Sequence, residues 1–299
     1  MPSHPALVAV VGASGGLGAS TLALAVGRRL AATGPPAVVV DLDLDRGGLE
    51  VSAGIEHLPG RRWDDLRAVR GRVPPDLLGP SFPGEGGCQV LSARGGASPE
   101  VPERAVLDVL DALAQGPARV VLDLPATSPL LGRVLRPGAL VLVVLGLRAR
   151  ALADADALVD RLTDGSSWPG VGASGSSAAS VRSGTSAGSG ASAVSSASAA
   201  SAGLDTAAAS AGFDTSVASG TSVADSADLR LVTRGARPGP DVLDDVVAHL
   251  GVAHLHHLLD DVRVPRAAER GVFPGVIRDA VRRCADVVVE AVDDAAVAS

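Results

Sequence analysis

The sequence predicts an α/β fold: a doubly wound, mainly parallel sheet interrupted by one long low-complexity insertion. Three observations predict it. Short apolar, β-branched runs alternate with segments of helical spacing on both sides of the insertion. Two of those runs end in aspartate, placing acidic groups at strand C-termini, the edge at which open parallel sheets bind ligands. A glycine-rich loop joins the first run to the first helical segment.

Leu7–Val11 is the first strand, and it runs into the loop Gly12–Gly18. Leu22, Ala25, Val26 and Leu30 then recur at helical spacing until Gly34-Pro35-Pro36 breaks the pattern. Ala37–Val40 is the next buried strand and is followed by Asp41, Asp43 and Asp45. The stretch 47–87 reads as loop apart from one short helix near Arg61–Val69. Gln89–Leu91 is a strand, and Pro102–Leu113 is a helix with proline early, where the first turn tolerates it. Arg119–Leu122 is a strand ending in Asp123, Ala139–Leu145 is a fully apolar strand, and Ala149–Leu162 is helical. From about 165 to 226 the chain is almost wholly Ser, Ala, Gly and Thr. Without periodic large apolar residues, such a segment cannot offset its ordering entropy and is expected to be disordered. Strands at Leu229–Val232 and Ala253–Leu258 follow, with a helix at Asp241–Leu250 between them. A last helix from about Gly275 to Val292 carries an apolar stripe. The expected organisation is one domain, 1–163 with 229–299, interrupted by an insertion at 164–228.

Composition narrows the function. Apolar residues make up 46% of the 299 and aromatics only 2%, so the core must be Val, Leu and Ala, as buried parallel strands prefer. A net charge of −7 argues against general nucleic-acid affinity, which rests on phosphate neutralisation. Cys88 and Cys284 are far apart and make no C-x-x-C pair, so neither a disulfide framework nor a zinc site is expected, as in a cytoplasmic protein. The longest apolar run outside the first strand, Ala139–Leu147, is too short to span a bilayer, so no transmembrane segment is expected. The sequence contains no lysine, so all 26 basic residues are arginine. Any step requiring an ammonium side chain is therefore beyond this chain and beyond a second copy of it.

The segment Val11-Gly-Ala-Ser-Gly-Gly-Leu-Gly-Ala-Ser-Thr21 carries the chemistry. Gly15, Gly16 and Gly18 let the backbone curl with its N–H groups inward, and the helix that follows adds its positive N-terminal dipole. Together these make an anion nest sized for phosphate, with the Ser20 hydroxyl placed for a divalent cation.

This segment resembles the deviant Walker A loop of the MinD/ParA family, lysine-Gly-Gly-x-Gly-lysine-Ser/Thr. Gly15, Gly16, Gly18, Ser20 and Thr21 match it, while Ser14 stands at the family's signature lysine and Ala19 at the general P-loop lysine. The resemblance implies a P-loop NTPase fold of the SIMIBI type. It implies ATP with Mg²⁺ as the ligand, held by Gly15, Gly16, Leu17, Gly18, Ala19, Ser20, Thr21 and Asp41. It further implies Mg²⁺ at Ser20 and at Asp123, the Walker B counterpart, and an attacking water placed by Asp43. Thr233-Arg234 sits where many relatives have an Asn-Arg pair near the adenine. The loop looks most like that of actinobacterial CpaE/TadZ-like proteins. That likeness implies a spatial positioning or assembly factor, working as a homodimer with a pilus or secretion ATPase or with polar or division proteins. Recruitment from the cytoplasm to the pole, the septum or the inner membrane face goes with it. The alternative is an active MinD-like ATPase regulating septum-site selection or cell division.

The lysines decide between these readings. Each would make charge-assisted hydrogen bonds to phosphate, about 1.5–3 kcal/mol apiece, so nucleotide binding should be weakened. Hydrolysis should suffer more, because phosphoryl transfer depends on positioning and charge. Arg28 and Arg29 lie two turns or more along the helix and should point away from the nest, and no arginine lies within the loop. His254, His256 and His257 lack a neighbouring cysteine and read as ordinary strand residues, not as a metal site.

Overall fold

The computed structural model describes residues 7–71, 73–74, 78–94, 100–163 and 227–298. The low-complexity insertion lies outside these residues except for 227 and 228, and Asp228 already opens a strand.

Eight strands form one sheet: β1 (Leu7–Gly12), β2 (Ala37–Asp41), β3 (Gly84–Glu85), β4 (Cys88–Leu91), β5 (Arg119–Pro125), β6 (Leu140–Gly146), β7 (Asp228–Gly235) and β8 (His254–Leu259). Their order is β3-β4-β2-β5-β1-β6-β7-β8, and every pairing is parallel except β3 with β4. The helices are α1 (Ala19–Thr33), α2 (Leu49–Ala53), α3 (Trp63–Leu66), α4 (Glu103–Ala114), α5 (Leu131–Val134), α6 (Ala149–Thr163), α7 (Val242–Leu250), α8 (Arg263–Ala268) and α9 (Ala280–Ala298).

Alternation along the strands divides the interior into two layers. Val8, Val10, Val39 and Leu142 pack with α1, α2 and α9, whereas Ala9, Val11, Val38 and Val143 pack with α3, α4, α6 and α7. The doubly wound sheet follows from this, since a strand apolar on both faces must be covered on both. Gly86 and Gly87 both take positive φ, 55° and 82°, and close a two-residue hairpin between β3 and β4. The stretch reads as loop by composition, and the Gly-Gly pair is the sequence signal of the hairpin found there.

The last helix starts at Ala280, not near Gly275. Asp279 caps it, accepting from the Arg282 backbone N–H at 2.8 Å, and Asp261 accepts from the Ala280 N–H at 3.0 Å. Gly275, at φ 85°, instead brings the preceding turn against Ala25 of α1. Ion pairs fasten α9 across the layer, Arg29 to Asp286 at 2.5 Å and Arg119 to Asp293 at 2.8 Å. Val281, Cys284, Val288 and Val292 are buried beneath it, so its apolar stripe is spent on the core. Among the described residues no helix is long and apolar enough to cross a membrane. Both cysteines are free and buried, and burial pushes each thiol up to about 12.

α1 lies close on the sheet because Gly27 has no side chain. A Cβ there would overlap Val39 and press on the Cys88 sulfur at 3.1 Å. Gly27→Ala should therefore cost about 1–3 kcal/mol by overpacking, despite alanine's better helix propensity. Calorimetric melting checks this, and an unchanged or raised melting temperature would contradict the close packing.

Candidate functional site

The polar residues at strand C-termini meet where β1, β2 and β5 end. The loop after β1 is anchored by the Ala13 N–H, which donates to the Val144 carbonyl of β6 at 2.9 Å. Gly16 and Gly18 both sit at φ 79°, the left-handed region that glycine tolerates without strain. Gly15 does not need that region, and added Cβ atoms at Gly15 or Gly16 would meet nothing within 4 Å, so the cradle is open above the loop. Gly18 caps α1, and its carbonyl accepts the first helical bond from the Leu22 N–H at 2.9 Å.

The carboxylates are arranged by pairing register. Asp41 of β2 lies directly beside Asp123 of β5. Both are buried, at 2% and 7% exposure. The Asp41 carboxyl accepts from the Ser92 hydroxyl at 2.7 Å and from the Asp43 N–H at 2.9 Å. Trp63 reaches behind it, its indole N–H donating to the Asp41 carbonyl at 2.8 Å. Burial pushes the Asp41 carboxyl up to about 6, against the opposing hydrogen bonds from Ser92 and Asp43. Burial pushes Asp123 up to about 7, with a hydrogen bond from Ser20 acting against it and repulsion from Asp41 and Asp43 adding to it. Ser20 and Asp123 are thus direct neighbours. Asp43 is part-buried and lies 3.7 Å from Arg46, while Asp45 is exposed.

The residues present fit a phosphate-bearing ligand in shape: an open glycine cradle, an exposed serine at the helix start, and a carboxyl beside that serine. Among the described residues no three His, Cys, Asp or Glu side chains converge as a metal site. A Mg²⁺ ion would therefore complete its shell with water and with oxygens of the ligand itself. The positions of the two family lysines carry no charge. Ala19 packs towards Gly12, whose added Cβ would lie 3.2 Å from that of Ala19, and Ser14 is half-buried.

Arg28 donates to the Gly86 carbonyl at 3.1 Å and Arg29 is paired with Asp286, so neither serves the nest. A different arginine, the one that the resemblance sets near the adenine, reaches the loop by a contact that sequence reasoning missed. Arg234, at the end of β7, reaches the loop, and its Nη1 donates to the Leu17 carbonyl at 2.8 Å. An arginine 217 positions away carries no local signal of that contact; only strand order brings it there. Ser92 and Trp63 were missed for the same reason.

A cavity of about 560 Å³ opens beside the loop, lined by Leu17, Gly146, Arg148, Arg234, Pro238 and Asp260 among others. Thr233 does not face it with a free hydroxyl. Its side chain is fully buried and lies 2.9 Å from His254 Nε2 and 2.8 Å from His257 Nδ1. A bulge between the two pairs Leu231–His254 and Val232–His256 places these histidines on one face of β8. Burial lowers the pKa of His254 and of its strand neighbour His256, so both favour the neutral imidazole.

The chain has the fold of the MinD and ParA ATPases. It superposes on a ParA family ATPase from Chlorobium tepidum with a TM-score of 0.62 at 13% identity, over 97% of this chain and 98% of the other. It superposes on the cell division ATPase MinD of Pyrococcus furiosus with a TM-score of 0.62 at 13% identity, over 97% and 99%. It matches a MinC:MinD cell division complex from Aquifex aeolicus with a TM-score of 0.61 at 13% identity, over 96% of each chain. In sequence it is similar to an uncharacterized protein found in two strains of Mycobacterium tuberculosis, 40% identical over 121 residues. Those residues are 40% of this chain, and they span about a third of the relatives' length, 33%. No family model matches.

Proposed function

We propose that this chain is a MinD/ParA-like positioning or assembly factor of the CpaE/TadZ-like kind, serving a pilus or secretion machine. It would hold nucleotide weakly and hydrolyse it little or not at all. One observation carries the reading: an open glycine loop at the start of α1 in which Ser14 and Ala19 stand at the positions of the family's two lysines. When bound, Mg²⁺-ATP would supply the negative charge and the oxygens that complete the site. Gly16, Gly18 and the start of α1 would cradle its phosphates, Ser20 and Asp123 would face the ion, and Asp41 and Asp43 would border it. The fold's relatives include a protein solved as a MinC:MinD complex and another solved with Mg-ADP. These support partner-dependent assembly and a nucleotide of that class for this chain. A homodimer, a single domain interrupted at 164–228, and recruitment to pole, septum or inner membrane face belong to the same proposal.

Restoring charge tests the site. Ser14→Lys with Ala19→Lys should tighten Mg²⁺-ATP binding by at least about tenfold, at 1.5–3 kcal/mol per charge-assisted contact. Titration calorimetry reads the change, and an unaltered affinity would mean that the cradle does not take phosphate. Positioning is tested in cells. A fluorescent fusion carrying Asp43→Ala should form the same foci as the unaltered chain and co-purify with the same secretion-type ATPase. Loss of foci with that variant would favour a switch driven by hydrolysis.

A further inference from the structure

We propose that Arg234 is the cation of this phosphate loop, delivered from β7 in place of the lysines that the loop lacks. The inference rests on the nucleotide-site reading above and adds a residue to it. The arginine is built into the loop, not merely near it. Its Nη1 donates to the Leu17 carbonyl at 2.8 Å, and a Cβ on Gly18 would overlap that same guanidinium nitrogen. Gly18 takes the left-handed backbone that glycine tolerates, and the end of the Arg234 side chain occupies the space beside its Cα. Arg234 lines both the cavity beside Leu17 and a second one of about 290 Å³ beside Thr21 and Asp279.

The partners that Arg234 holds are ones it can exchange. The Leu17 carbonyl is a neutral acceptor. The Asp260 carboxylate lies 3.3 Å from Nε and is 67% exposed, so this pair is screened and weak. A phosphate oxygen makes a shorter and stronger charge-assisted bond to guanidinium than a carbonyl does. The planar fork has five N–H donors, so it can keep Nη1 on Leu17 and offer others to an anion in the cradle. No competing cation comes from α1, since Arg28 and Arg29 are bound to Gly86 and Asp286.

The test uses the full chain and three probes: Mg²⁺-ATP, inorganic pyrophosphate and adenosine. Arg234→Ala should weaken Mg²⁺-ATP and pyrophosphate by about tenfold or more, while adenosine changes less than about twofold. Arg234→Lys should recover part of the loss. Adding Ala19→Lys to Arg234→Ala should restore binding, because it returns a cation to the same cradle; this also shows that the variant is folded. Unchanged pyrophosphate affinity in Arg234→Ala would overturn the inference and leave the nucleotide-site reading standing. An equal loss for adenosine and pyrophosphate would also overturn it, by showing a role at the base or in packing. If the unaltered chain binds neither pyrophosphate nor Mg²⁺-ATP, the site reading fails and the inference fails with it.

Discussion

Glu50→Ala should lower the melting temperature by roughly 10 °C. Glu50 is buried in α2, and its carboxylate lies 2.5 Å from Arg62 Nε, with side chains 7% and 4% exposed. The rest of the guanidinium is bound to backbone carbonyls, Gly60 at 2.8 Å and Leu58 at 3.1 Å, with Glu56 at 3.5 Å. Removing the carboxylate strands a buried cation among neutral acceptors, at a cost of about 3–5 kcal/mol. In a domain of this size each kilocalorie shifts melting by about 2–4 °C. Arg62→Ala should cost a similar amount, and the double variant should be less destabilised than the two singles added together, as expected for groups in contact. The pair also matters to the site, because α2 begins with the Leu49 N–H on the Ser92 hydroxyl at 3.2 Å, and that hydroxyl holds Asp41. A single-variant drop below about 2 °C, less than one kilocalorie, would show that the segment opens and hydrates the arginine.

Asp123→Asn should stabilise the metal-free protein above pH 7 and leave it nearly unchanged at pH 4. Burial first, and then repulsion from Asp41 and Asp43, raise the Asp123 carboxyl to about 7 from an ordinary 3.8. The folded chain therefore keeps a proton that the unfolded chain has already lost between pH 4 and 7. Stability tied to that proton is fully present below pH 4 and is lost as pH rises through 7. Asparagine is close in shape and has no charge to bury, so the variant escapes the loss. At about 1.4 kcal/mol per pK unit the gain is roughly 2–4 kcal/mol at pH 8. Asp41, raised to about 6, acts in the same direction at slightly lower pH. Melting curves from pH 4 to 8 in chelator would reveal the divergence. Parallel curves would mean that the carboxyl is ionised and solvated in the folded protein. The same burial makes Asp123 a stronger cation ligand once a cation arrives, because ionisation and binding then favour each other.

Much of the fold was legible because its signals are local. Buried parallel strands read as short β-branched runs, the glycine loop marks the first turn, and Asp41 and Asp123 close their strands. The short helices α2, α5 and α8 were not legible, since each is shorter than two helical turns and has no period to detect. The start of α9 was misplaced because Val276 and Ile277 continue an apolar pattern that Gly275 and Asp279 interrupt. The glycine loop was readable from its residues, whereas Asp123 was set beside Ser20 only by the resemblance to a Walker B aspartate. The resemblance set Arg234 near the adenine, but its contact with the Leu17 carbonyl was not readable, because that approach depends on β7 lying beside β6 across an insertion of low complexity. Neither was the engagement of Thr233 by two histidines, which needs a bulge that no residue pattern announces.

Phosphate release with Mg²⁺-ATP tests the central claim most directly. The unaltered chain is compared with its Asp123→Ala variant, each with and without cell extract to provide partners. The cradle holds no lysine, a second copy would bring Ser14 again, and Arg234 offers charge from the side of Leu17. The predicted result is release no faster than from Asp123→Ala under either condition, while the chain still forms its foci. Release clearly above that control, and abolished by Asp43→Ala, would contradict the account and make the protein a slow ATPase.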